Sequence, residues 1–184
     1  MTLTDRENKN IVVKDIRERY TTERTIKNGI RVIFRPIEST DKAGYYEFFK
    51  SLSQESVHMR FFEIMKDLSE EALENCCTLD YNQEIAIVAL SQIERKIIGV
   101  ARLIFDHSHN RGEFALIVAD TWQGLGLGAE LLKYTIQIAK DHKFKEIYYF
   151  VTSDNYKMIQ LSNKMGFKVR SEDEDTLEMS LQLS

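Results

Sequence analysis

The chain has 184 residues, 43% of them hydrophobic and 29% charged: ample apolar material for one globular domain, too little length for two comfortable ones. A formal net charge of −4 argues against general affinity for nucleic acid and suits, if anything, a cationic substrate. No apolar run approaches membrane-spanning length and Met1 to Asn10 is polar with no secretory core, so no membrane partner and a cytoplasmic location are expected.

Residues 1–28 are rich in charge and threonine, with one apolar patch at Ile11-Val12-Val13. They read as a loosely attached N-terminal arm with a short helix near Asp15 to Tyr20, or equally as a dimer contact, with the domain proper at 29–184. Ile30 to Arg35 alternates and is β-branched, a strand stopped by Pro36. Ser39 or Thr40 with Asp41 starts a helix carrying Tyr45, Phe48, Phe49 and Leu52, and Ser53-Gln54-Glu55 breaks it. A second short helix holds Met59, Phe61, Phe62 and Met65. Ser69 caps a third through Cys77, with Glu70 and Glu71 in its first turn. The adjacent Cys76 and Cys77 give no disulfide framework and read as reduced thiols packed under a helix. Glu84 to Ile93 and Lys96 to Phe105 form a hairpin across Glu94-Arg95, and Gly112 to Ala119 is the next strand. A long helix through Leu132, Ile136 and Ala139 follows. Glu146 to Val151 is a strand, Asn155 to Met165 a helix capped by Gly166, and Phe167 to Val169 with Leu177 to Leu183 a closing strand pair. The order is β-ααα-ββ-β-α-β-α-β-β, a mixed α/β (α+β) domain with no repeat and no internal linker.

Asp120-Thr121-Trp122-Gln123-Gly124-Leu125-Gly126-Leu127-Gly128-Ala129 stands where a strand hands over to the long helix. Glycine tolerates positive φ and close approach to the backbone, and the first N–H groups of a helix carry the positive end of its dipole. Together they form an anion cradle, most naturally for a phosphate or pyrophosphate. A P-loop needs Lys and Ser/Thr after its last glycine, and Gly128-Ala129-Glu130 rules that out. Gly124-x-Gly126-x-x-Ala129 fits the dinucleotide pattern. Its acid, however, would be Asp154, about 30 residues beyond Gly124 rather than the usual ~20, and too little chain remains for a doubly wound sheet.

Gln123-x-x-Gly126-x-Gly128 resembles the acyl-CoA loop (Q/R-x-x-G-x-G/A) of the GNAT superfamily of N-acetyltransferases. Asn155-x-x-Met158-Ile159-x-Leu161-x-x-Lys164-Met165-Gly166-Phe167 is similar to that family's Asn-led helix ending in Gly-Phe. The likeness covers about Ile30 to Leu183. Leu52-Ser53-x-Glu55-Ser56-x-x-x-Arg60-Phe61-Phe62, Asp80-Tyr81, Ile98-Gly99-Val100-Ala101-Arg102, Glu113-Phe114-Ala115 and Asp120-x-Trp122-Gln123-Gly124 resemble more narrowly the acetyltransferase domain of bacterial Pat-type protein lysine acetyltransferases.

The resemblance implies a single GNAT-like domain: a mostly antiparallel central sheet of about seven strands, flanked by helices and splayed at the acyl-CoA site. It implies an acetyl-CoA-dependent N-acetyltransferase acting on a primary amine, first a protein lysine. The alternatives are a small amine (polyamine, amino sugar or amino acid) as acceptor, or a silent acyl-CoA-sensing module. Acetyl-CoA would be the co-substrate, its diphosphate held at Gln123, Gly124, Leu125, Gly126, Leu127, Gly128 and Ala129. Its pantetheine arm would pair with the backbone of Leu116, Ile117 and Val118, where the Val118 N–H would polarise the thioester carbonyl, and Asn155 would contact the arm. A lysine ammonium, pKa about 10.4, needs a base, and the resemblance gives that role to Glu113, which on its own would read as a solvated strand-end carboxylate. Relatives often carry a tyrosine acid where this chain has Ser162; the leaving thiolate would then take its proton from water. His58, His107, His109 and His142 do not form a metal set, and no metal is expected. Trp122 reads as packing, Tyr148 and Tyr149 as one side chain in and one out, Glu172 to Asp175 as a solvated turn, and Arg60 and Arg102 as shaping the acceptor side. Monomer and homodimer both remain open.

Overall fold

The computed structural model describes residues 15–183, so the apolar patch expected at residues 11–13 lies outside the described residues. In chain order the elements are α1 (described residues 15–19), β1 (Thr22–Thr25), β2 (Arg31–Pro36), α2 (Lys42–Lys50), α3 (Gln54–Phe61), α4 (Glu70–Cys77), β3 (Glu84–Ser91), β4 (Ile97–Asp106) and β5 (Arg111–Val118). Then come α5 (Leu127–Asp141), β6 (Glu146–Thr152), α6 (Tyr156–Lys164), β7 (Lys168–Asp173) and β8 (Thr176–Gln182). They build one eight-stranded sheet ordered β1-β2-β3-β4-β5-β6-β8-β7, antiparallel at every pairing except β5 with β6.

Helices cover both faces of this sheet. Leu127, Leu131, Leu132 and Ile138 of α5 pack on Phe34, Ile87, Leu103, Phe114 and Ile147. Tyr45, Phe48 and Phe49 of α2, with Val57 of α3 and Leu73 and Cys77 of α4, pack on Ile33, Val88, Val100 and Ile117. A central strand covered on both sides needs no polar face, and Ile85 to Ser91 of β3 is buried throughout. The same cover corrects the expectation for Tyr148 and Tyr149: both are buried, at 7% and 3% exposure, because the Arg111 guanidinium lies 4.1 Å over the Tyr148 ring on the face expected to be open.

Other differences have local causes. The eighth strand is β1, formed by residues expected in a loose arm. Thr22↔Phe34 to Thr25↔Arg31 pair it with β2, and the flanking Tyr20 and Ile26 are buried in the core. Two anchors either side of a polar tetrapeptide leave no hydrophobic run to read. The hairpin strand stops at Ser91, not Ile93: Ser91 N–H bonds Lys96 O, Arg95 turns left-handed (φ 57°), and Ile93 is 94% exposed in the turn. β2 ends at Pro36, the proline pairing with Ile87 as its last residue. Ser39–Asp41 is a 3-10 turn, and Glu38 is its cap, reciprocally bonded to Asp41. Glu172 and Asp173 belong to β7 instead of the turn, on an exposed, charged edge strand.

The feature that makes a site is the pairing of β5. Against β4 it runs in one unbroken register from Gly99↔Val118 to Asp106↔Arg111. Against β6 it holds for only three pairs, Arg111↔Glu146, Gly112↔Ile147 and Glu113↔Tyr148, after which the strands part.

Candidate active site

Between the parted ends of β5 and β6 lies a cleft of about 800 Å³, bounded by the glycine-rich loop, the start of α6 and one face of α3. Backbone alternation decides what β5 offers it. Ala119 N–H bonds Ile98 O on the β4 side, whereas Asn110 O accepts from Lys145 N–H on the β6 side. With a two-residue repeat and no bulge, the main-chain groups of Leu116 and Val118 face the cleft and those of Ile117 face β4. Ile117 is therefore a correction to the expected trio: it reaches the cleft wall, but its N–H and C=O belong to the ladder. The Val118 carbonyl accepts from Gln123 Nε2 at 3.3 Å.

The loop takes its path from two left-handed glycines, Gly124 (φ +75°) and Gly126 (φ +87°), of which Gly126 caps α5. The first helical bond runs from Glu130 N–H to Gly126 O, so the N–H groups of Leu127, Gly128 and Ala129 precede the ladder and stay open to an anion. A Cβ on Gly128 would stand 3.8 Å from the side chains of Leu116, Val118 and Leu161, against the cleft floor, so any larger residue would fill that space. The Leu125 and Leu127 side chains pack in the core, leaving only their main chain for binding. Asn155 lines the cleft and caps α6, its Oδ1 accepting from Met158 N–H at 3.2 Å.

Glu113 is half-buried at the last paired position before the strands separate, and Tyr148 Oη donates to its Oε2 at 3.2 Å. Burial, and then the Glu113 charge, push the Tyr148 phenol up, so it stays a proton-bearing donor. Arg60 lines the same end of the cleft. Burial pulls its guanidinium down from the ordinary arginine value, and Glu113 is among the groups that act the other way. Arg102 does not join it: it bonds Glu84 Oε2 and Cys76 O, both at 2.8 Å, and ties α4 to the sheet. Phe62 and Phe150, each more than two-fifths exposed, also line the cleft, as does Glu55 from the first turn of α3, between Ser53 and Ser56. Ser162 is buried and accepts from Tyr149 Oη at 2.5 Å; burial pushes that phenol up to about 12.

Four site residues carried no role in the sequence reading. Asp120 accepts from Ser53 N–H (2.9 Å), Ser53 Oγ (2.6 Å) and Ser56 Oγ (2.9 Å), and Gln123 Nε2 donates to Ser56 Oγ at 3.0 Å. Ser53 also caps α3, so this network fixes that helix against the loop. The fourth is Lys27, which lines the cleft from the far end of the chain. Only the resemblance had singled out Ser53, Ser56 and Asp120, as part of a pattern; Lys27 gave no signal. Trp122 packs between the two cores, and His107 and His109 are exposed and hydrogen-bonded at the β4–β5 turn. Among the described residues no group of three or more His, Cys, Asp or Glu is placed to hold a metal ion, and no helix is long and apolar enough to cross a membrane.

Residues 46–167 match the model of the acetyltransferase (GNAT) family. An acetyltransferase of Pseudomonas aeruginosa is 28% identical over 157 residues, 84% of each chain. The crystal structure of the GNAT domain of S. lividans PAT superposes with a TM-score of 0.83 at 22% identity, over 90% of this chain and 98% of that one. A spermidine N-acetyltransferase from Vibrio cholerae, crystallised with CoA and spermine, gives 0.69 at 21% identity, over 82% of this chain and 95% of that one. At these identities the two structures speak for the fold.

Proposed function

The chain belongs to the acetyltransferase (GNAT) family, and from that premise we propose that it moves the acetyl group of acetyl-CoA to a primary amine, a protein lysine side chain, with Glu113 as general base. The observation that carries this reading is the coincidence, at one fork in the sheet, of a half-buried carboxylate and an outward-facing main-chain N–H at Val118. Acetyl-CoA supplies an activated thioester. The main-chain N–H groups from Gly124 to Ala129 suit its diphosphate, and the cleft-facing main chain of Leu116 and Val118 suits the pantetheine amides. Val118 N–H donates to the thioester carbonyl oxygen as that oxygen gains charge. Glu113 takes one proton from the acceptor ammonium, and the neutral amine so formed attacks; the C–N bond forms, the nitrogen's second proton leaves to solvent as the C–S bond breaks, and the thiolate takes a proton from solvent. The Tyr148 hydroxyl holds one Glu113 oxygen in place and leaves the other to the amine.

A protein acceptor is supported by the exposed apolar residues at the mouth, Phe62, Phe150 and Tyr156, which offer an alkyl stem and its flanking chain a surface. The second reading, a polyamine, rests on Glu55: with Glu113 it puts two carboxylates in one cleft, a match for a second ammonium. Incubation with labelled acetyl-CoA, a cell lysate and a polyamine panel separates the two by where the label goes. Glu113→Gln is expected to lower kcat at least ~100-fold while acetyl-CoA affinity, read by calorimetry, holds. A wild-type protein that binds acetyl-CoA yet acetylates nothing in either panel returns the site to a sensing role.

A further inference from the structure

Lys27 sits 97 residues from the loop it touches. Its main-chain N–H donates to Leu125 O at 3.0 Å, and its ammonium donates to Gly124 O at 2.9 Å. The tight turn that delivers it, Lys27–Gly29, depends on left-handed Asn28 (φ 61°) and Gly29 (φ 71°). Contact is close: a Cβ on Gly126 would lie 3.6 Å from Lys27 Cγ.

Two consecutive carbonyls of the loop are thus drawn toward one residue. In a trans peptide the N–H points opposite to the C=O of the same plane. Holding Gly124 O and Leu125 O therefore turns the N–H groups of Leu125 and Gly126 to the other side of the loop, as a file with those that open α5. The ammonium also adds a full positive charge next to the partial charges of the helix start. Lys157 donates to Gln123 Oε1 at 3.4 Å from the first turn of α6, so a second cation lies against the loop in a chain of net charge −4.

We propose that Lys27 is a positioning residue for the phosphates of the acyl carrier: it orients two loop peptides by their carbonyls and supplies a cation that strengthens the grip on the diphosphate. This rests on the reading of the cleft as an acetyl-CoA site, and it goes beyond it by making the segment before β2 part of that site.

The test compares wild type, Lys27→Arg and Lys27→Met by calorimetry with acetyl-CoA at low and high salt. Lys27→Met keeps the main-chain bond to Leu125, so the fold is retained, with Tm held within about 2 °C. At low salt its affinity falls about 5- to 10-fold, the loss expected for one charge-assisted contact, and high salt narrows the gap because a screened charge matters less. Lys27→Arg stays within about 2-fold of wild type. A Met variant within 2-fold of wild type at low salt, or a loss that salt does not narrow, overturns the proposal and leaves Lys27 as a bystander or a mere tether. A wild-type protein that takes up no acetyl-CoA overturns the reading of the cleft itself, whatever Lys27 does.

Discussion

Asp120 holds two distant pieces of chain together at the cost of one carboxylate. Burial alone would raise its pKa, but the hydrogen bonds from Ser53 and Ser56 outweigh burial and lower it. A carboxyl held below its unfolded value stabilises the fold above that value, and the contribution is lost as pH falls through the lowered one. Asp120 is exposed, so solvent screening keeps the effect to about 1 kcal/mol or less. Asp120→Asn is therefore expected to lower Tm by about 2–4 °C at pH 7. In thermal melts the gap should shrink steadily as the pH is taken below 4, and a gap that stays constant into acid would refute the account. The residues of this network also show what a sequence can and cannot disclose. The position of Glu113 is legible because it is local, a carboxylate at the start of a strand that ends in a glycine loop, but its proposed role as base comes only from the family resemblance. Ser53 and Asp120 are 67 residues apart, and nothing local distinguishes Ser53 from an ordinary helix cap. Lys27 is harder still, a charged residue in a charged stretch whose partner is the main chain of a loop formed much later.

At the scale of elements, parity decides which main-chain groups the fork between β5 and β6 offers to the cleft. Val118 and Ile117 are neighbours, yet one presents its N–H to the cleft and the other to β4. Proline removes that N–H and little else where the group is free of the ladder. Val118→Pro is expected to lower kcat by about 10²- to 10³-fold, the loss of one donor to the developing oxyanion, with a small change in Tm. Ile117→Pro breaks a ladder bond inside the sheet and should unfold the chain at markedly lower temperature. Equal damage from both, read by melting and by turnover, would remove Val118 from the mechanism. Helix and strand periodicity made most elements readable in advance, but α3 opens at Gln54, where a break was expected, and ends at Phe61 because Phe62 turns left-handed, leaving Phe62 and Met65 outside the helix expected to hold them. What periodicity could not give was the fork itself: a sequence states which residues extend, not where two extended segments stop pairing. The two buried tyrosines fall under the same limit, since alternation assumes one open face and this sheet has helices and an arginine over both.

Over the whole molecule, the segment before β2 matters more than its composition suggests. The sequence sets the domain's start at residue 29, because residues 1–28 are rich in charge and threonine; of these, residues 15–28 are described in the structure. The fold uses them at three levels: Tyr20 and Ile26 fill the core, β1 completes the edge of the sheet, and Lys27 straps the loop. Burying two such side chains is worth about 1.5–3 kcal/mol each, before the β1–β2 ladder is counted, against a total stability of about 5–15 kcal/mol. For a chain of this size each kcal/mol moves Tm by about 2–4 °C. A chain beginning at Gly29 is therefore expected to melt at least ~10 °C lower than the full chain in calorimetry, with an exposed strand edge along β2 that favours aggregation. A detachable arm would instead leave Tm within about 2 °C and the shortened chain monodisperse. Binding cannot serve as the readout here, because the truncation removes Lys27 along with the strand. The melting temperature reports only whether these residues are part of the fold, and the point variants of Lys27 report separately whether they are part of the site.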